Sequence, residues 1–124
     1  MLYRKITSRI ADYFKSDSDK VLVVTGARQI GKSYIIRHCA GQYFKNVVEI
    51  NLIEDSEGLR IFDSVKTTDD FYLALAAVDS RRLGDRSDTL IFLDEIQEYP
   101  HLLTMLKFLR EEGRYRFVAS GSLL

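Results

Sequence analysis

Val21-Leu22-Val23-Val24-Thr25-Gly26-Ala27-Arg28-Gln29-Ile30-Gly31-Lys32-Ser33 is the stretch that decides the fold. Its first four residues form a short, continuously apolar and largely β-branched run, the pattern of a strand buried on both faces of a parallel sheet. The run ends in Gly26, and the residues from Ser33 to Gln42 read as a helix. A strand, a Gly-x-x-x-x-Gly-Lys-Ser turn and a helix in that order form a phosphate-binding loop. The two glycines let the backbone fold tightly, the loop amides and the helix N-terminus supply donors and a positive dipole, and Lys32 adds a full charge.

Outward from this loop the chain alternates strands and helices. Val47 to Leu52 reads as a second strand, Leu90-Ile91-Phe92-Leu93 as a third and Phe117-Val118-Ala119 as the start of a fourth. Two helical stretches are expected between about Glu57 and Val78, one through Leu59, Ile61 and Phe62 and one through Phe71, Leu73, Leu75 and Val78. Asp79 to Asp88 reads as a loop, and a helix is expected from about His101 to Glu112, with Pro100 at its favourable first turn. Ahead of the first strand, Leu2, Ile6, Ile10, Tyr13 and Phe14 recur at helical spacing and predict an amphipathic helix over about residues 2–15. The expected fold class is α/β, a parallel sheet with helices on both faces, in a single domain over residues 1–124.

A second motif gives the loop its partner. Leu90-Ile91-Phe92-Leu93-Asp94-Glu95 carries two carboxylates at the C-terminal end of a buried strand, where α/β sheets bind ligands. Asp94 and the Ser33 hydroxyl suit Mg²⁺, which keeps most of its waters and takes one or two carboxylates besides phosphate oxygens. Glu95 is the candidate general base for an attacking water, and Lys32 the group that neutralises β- and γ-phosphate charge. ATP and Mg²⁺ are therefore the expected ligands. The nucleotide-contacting residues are expected to be Gly26, Ala27, Arg28, Gln29, Ile30, Gly31, Lys32, Ser33 and Tyr34. Arg28 reads equally as a phosphate contact or as a solvated side chain. Ser120, in Ser120-Gly121-Ser122, reads either as a contact to the γ-phosphate or the water, or as part of a turn. Asn51, closing the second strand, falls near Glu95 if those two strands are neighbours.

Composition bounds the alternatives. The 124 residues are 46% hydrophobic and 29% charged, the range of an ordinary globular domain. Lysine plus arginine and aspartate plus glutamate both number 18, so net charge gives no footprint for nucleic acid or an acidic membrane. Cys39 is the single cysteine and cannot form an internal disulfide, and no Cys/His cluster has zinc-ligand spacing. No apolar run is long enough to span a bilayer, and a cytoplasmic protein is expected. A GTPase is disfavoured because no Asn-Lys-x-Asp sequence is present, and a small-molecule kinase because no acceptor site or arginine-bearing lid is visible.

The chain resembles the bacterial and archaeal AAA-type ATPases whose N-terminal ATPase domain is often followed by a nuclease-like C-terminal domain. Four blocks carry the resemblance: Gly26 to Ser33; Ile50-Asn51-Leu52-Ile53-Glu54-Asp55 with Ile61-Phe62; Leu93 to Pro100 leading to Leu106-Lys107-Phe108-Leu109; and Ala119 to Leu124. It implies a P-loop ATPase of the additional-strand, catalytic-glutamate class. Lys32 and Ser33 then lie on phosphate and Mg²⁺, Asp94 on Mg²⁺, Glu95 acts as base and Ser120 takes the sensor position. The family continues past the Gly-Ser-Leu-Leu block with a further helix and strand, the region of any arginine finger, a lid and the C-terminal domain. The chain is thus expected to be a partial ATPase domain ending after the sensor strand. On this expectation, Val21 to Thr25 forms an exposed apolar edge that is covered by the first helix or by self-association. An alternative to hydrolysis is a nucleotide-binding switch that turns ATP over slowly or not at all.

Overall fold

The computed structural model describes residues 2–16, 21–26, 31–79 and 88–122. Helix α1 (Leu2–Lys15) precedes strand β1 (Leu22–Gly26), helix α2 (Lys32–Tyr43) and strand β2 (Asn46–Asn51). Two helices follow, the short α3 (Leu52–Glu57) and α4 (Thr68–Asp79), and then strand β3 (Thr89–Asp94). A 3₁₀ turn (Ile96–Glu98), helix α5 (Pro100–Glu112) and strand β4 (Arg116–Ser122) complete the order. The four strands are all parallel and lie in the order β1-β4-β3-β2. One strand, β4, is therefore inserted between the loop-bearing β1 and the carboxylate-bearing β3.

Period-two alternation assigns the apolar strand residues to one of two cores. Val48, Ile50, Ile91, Leu93, Phe117 and Ala119 face a cluster completed by α4, α5 and the segment around Phe62. Val47, Leu90, Phe92 and Val118 face the other cluster, built from α1 and α2. Because β3 is buried along its whole length, its run must be apolar on both faces, as a central parallel strand requires. Helix α5 buries Leu102, Met105, Leu106 and Leu109, the spacing of one helical face. Helix α1 lays Ile10 and Phe14 against α2 and is tied to the sheet by the Tyr13 hydroxyl, which donates to the Phe117 carbonyl at 3.1 Å. Among the described residues β1 pairs only with β4.

One expectation fails between α3 and α4. The segment through Leu59, Ile61 and Phe62 is a series of turns, and α3 stops at Glu57. The Asp55 carboxylate accepts the backbone N–H groups of Ile61 at 2.9 Å and Phe62 at 3.3 Å, which gives those amides partners that a helix would have taken up internally. Phe62 is still buried, but as the plug of a turn, while Leu59 is exposed. Helix α4 then starts on a reciprocal cap. The Thr67 Oγ1 accepts the Asp70 N–H, and the Asp70 carboxylate accepts the N–H groups of Lys66 and Thr67 and holds its own pKa below the usual value through those bonds. The loop expected from Asp79 to Asp88 lies largely outside the described residues.

Candidate functional site

The C-terminal ends of β1, β3 and β4 and the start of α2 converge on one small area. Gly31 takes a left-handed conformation, φ 67°, that only glycine adopts without strain, and its carbonyl accepts the first helical bond of α2 from the Ile35 N–H. Lys32 and Ser33 thus stand in the first turn of α2, where unpaired backbone donors favour an anion. Lys32 is 3% exposed, and among the described residues its ammonium makes one long hydrogen bond, to Ser122 Oγ at 3.3 Å. A buried ammonium with spare donors is a group built to meet negative charge.

Asp94 ends β3, and both its oxygens are engaged. Ser33 Oγ donates to Oδ2 at 2.7 Å, and Ser120 Oγ, wholly buried on β4, donates to Oδ1 at 2.5 Å. A carboxylate and a hydroxyl in direct contact are a hard-oxygen pair of the kind Mg²⁺ accepts. Among the described residues no group of three or more His, Cys, Asp or Glu side chains is gathered as for a fully protein-bound metal. The pair fits an ion that takes its remaining ligands from water and phosphate.

Glu95 follows with φ 63°, a left-handed backbone in a non-glycine residue, which costs about 1–3 kcal/mol and persists only where the surroundings enforce it. The turn swings its side chain back toward β4. Gln97 Nε2 donates to Glu95 Oε2 at 2.6 Å, and Ser122 Oγ lies 3.4 and 3.5 Å from the two carboxylate oxygens. Since Lys32 also reaches Ser122 Oγ, one hydroxyl stands between the cation of the loop and the carboxylate of β3.

Of the expected site residues, Gly31, Lys32, Ser33, Asp94, Glu95 and Ser120 come together in this cluster, and Gly26 closes β1 beside Ser122. Ala27, Arg28, Gln29 and Ile30 lie outside the described residues. Tyr34 is 60% exposed, with its ring stacked on His38 at 6.1 Å between centroids. Asn51 is in register with Asp94 on the neighbouring strand, and its Oδ1 caps α3, accepting from Ile53 N at 3.0 Å and Glu54 N at 3.4 Å. Sequence reasoning gives no role to Gln97 or Ser122. Gln97 sits two residues beyond Glu95, and only the turn at Glu95 reveals that it folds back. A groove of about 920 Å³ between residues 63–68 and α5 lies apart from the cluster and carries none of these residues.

A parallel sheet with a strand inserted between the loop strand and the carboxylate strand, and a Gly-Lys-Ser turn facing an Asp-Glu pair, define a P-loop nucleotide-binding domain. Residues 18–124 match the family model described as AAA domain, and the chain belongs to that family of nucleotide-binding, ATPase-type domains. A comparison with curated proteins finds no match. Among the described residues no helix is long and apolar enough to cross a membrane.

Proposed function

We propose that this domain binds ATP with Mg²⁺ and hydrolyses it. The observation that carries the reading is the contact of Ser33 with Asp94 at 2.7 Å, with Lys32 and Glu95 meeting at Ser122 beside it. Gly26 to Ser33 hold the phosphates, with Lys32 neutralising the β- and γ-phosphate oxygens. Ser33 Oγ and Asp94 hold Mg²⁺, and Ser120 keeps the Asp94 carboxylate oriented. Bound there, Mg²⁺ supplies positive charge against the charge developing on the phosphoryl oxygens. Glu95 takes a proton from the attacking water.

Calorimetric titration of Mg-ATP and Mg-GTP into the 124-residue chain, with phosphate release followed in parallel, tests this. Saturable binding of ATP that weakens by about 10–100-fold in Lys32→Ala, with release strongly reduced in Glu95→Gln, is expected. Binding without release makes the domain a nucleotide-controlled switch instead, and no binding to the folded protein refutes the site. We also propose that the outer edge of β1, which has no strand partner among the described residues, is covered by pairing with a second copy, since an apolar strand edge invites another strand. A monomer mass independent of concentration in sedimentation would sink that part.

A further inference from the structure

The hydrogen bond from Gln97 Nε2 to Glu95 Oε2, at 2.6 Å, is one half of a bridge. Gln97 Oε1 accepts the backbone N–H of Ser122 at 3.1 Å, so a single side-chain amide spans from the Glu95 carboxylate to the last residue of β4. A neutral amide has its donor and acceptor at fixed ends. Once Oε1 is turned to the Ser122 N–H, Nε2 must face the carboxylate. The seat for this group is cut into the strand at Gly121, where a Cβ would stand 3.1 Å from Gln97 Oε1 and 3.1 Å from Ile96 Cγ2. Glu95 itself is held in a left-handed turn, φ 63°, that points it at this seat.

We propose that Gln97 is a positioning residue for Glu95, fixing the plane of its carboxylate and binding it to the end of β4. The proposal rests on the reading of Glu95 as the general base. A base that has lost this bond spends less time aligned with the attacking water, and small misplacements of reacting groups are costly in rate. The bridge also carries any displacement of the β4 end at Ser122 to the base through a single side chain.

Four variants, assayed for ATP hydrolysis with Mg²⁺ and checked for unchanged nucleotide affinity as a sign of intact folding, separate the possibilities. Gln97→Leu removes both bonds at similar volume and is expected to lower kcat by about 10–100-fold with KM for ATP nearly unchanged. Gln97→Glu keeps an acceptor for the Ser122 N–H but sets a second carboxylate against Glu95, and is expected to lose as much. If Gln97 merely braces β4, Gln97→Glu retains wild-type kcat, and the proposal is overturned. In a Glu95→Gln background, Gln97→Leu should cause no further loss, because it acts through Glu95, and an additive loss also overturns it. Undiminished hydrolysis in Glu95→Gln alone overturns the base reading, and this proposal with it, whereas an active Gln97→Glu beside an inactive Glu95→Gln overturns this proposal only. If the wild-type chain binds ATP and releases no phosphate, hydrogen exchange of the Gln97 side-chain amide decides. Exchange that is slow in the wild type and fast in Glu95→Ala supports the clamp, and equally fast exchange in both refutes it.

Discussion

Ser33 Oγ lies 2.7 Å from Asp94 Oδ2, joining the first turn of α2 to the last residue of β3 across the sheet edge. Asp94 is buried, so its remaining oxygen also needs a donor, and Ser120 Oγ supplies it at 2.5 Å. If the pair holds Mg²⁺, Asp94→Asn makes ATP affinity the same with Mg²⁺ and with chelator. Ser120→Ala is expected to weaken Mg²⁺-dependent binding by about 10-fold, as loss of an orienting partner does elsewhere. Titrations with and without chelator check both, and a Mg²⁺ dependence that survives in Asp94→Asn would remove Asp94 from the metal site.

Among the described residues Lys32 is buried with one long hydrogen bond, so truncating it removes a desolvated charge at little cost to those contacts. Lys32→Ala should fold with an unfolding midpoint at or above that of the wild type. Its affinity for Mg-ATP should fall by about 10–100-fold, the worth of a charge-assisted hydrogen bond. Thermal unfolding beside calorimetry separates the two effects, and a large loss of stability with affinity retained would contradict the reading.

Gly121→Ala places a methyl group 3.1 Å from Gln97 Oε1 and Ile96 Cγ2, tighter than ordinary contact. The side chains must give way, at a cost of about 1–2 kcal/mol in stability. Phosphate release is expected to drop along with it, since the Gln97 amide is one of the two groups that the methyl presses on. Urea unfolding and the hydrolysis assay measure the pair, and wild-type turnover in this variant would mean that the seat tolerates displacement.

The framework was legible because its signals are local. Four apolar runs gave the strands, and the turn chemistry of Gly26 to Ser33 and the carboxylates ending Leu90 to Glu95 fixed which ends of the strands matter. The alternation of Leu90 and Phe92 with Ile91 and Leu93 is a two-faced pattern whose two clusters appear only when the sheet is folded. What the sequence hid depends on contacts between distant residues. Asp55 takes the amides of Ile61 and Phe62 six and seven residues on, so an apolar stretch with helical spacing became turns. Gln97 was invisible as a partner of Glu95 because a left-handed residue between strand and 3₁₀ turn reverses the expected direction of the side chain. Asn51 was placed beside the site by strand order, yet its oxygen went to a cap, a local competitor that spacing does not exclude.

The Asp55 carboxylate is the acceptor for three donors, the N–H groups of Ile61 and Phe62 and the hydroxyl of Tyr99, which joins the turn segment to the start of α5. Asp55→Ala leaves them unpaired in a part-buried setting and is expected to cost about 2–3 kcal/mol in urea unfolding. Asp55→Asn keeps one acceptor oxygen and should cost less. Equal losses in the two variants would show that the charge, and not the acceptor count, holds the turn.

Tyr99 makes this junction sensitive to alkali. Burial, and then its hydrogen bond to Asp55, push the phenol above its ordinary pKa of 10.0. Below about pH 10 both folded and unfolded chains keep the proton, so this contribution to stability is fully present there. As pH rises further the unfolded chain releases the proton while the folded chain retains it. The unfolded state then binds fewer protons, and stability falls by up to about 1.4 kcal/mol per pH unit from this residue until the folded pKa is reached. Tyr99→Phe has no phenol to ionise and should lower stability at neutral pH through the lost bond, yet flatten the decline above pH 10. Urea midpoints from about pH 8 to about pH 11 compare the two proteins, and parallel declines would place the alkaline sensitivity elsewhere.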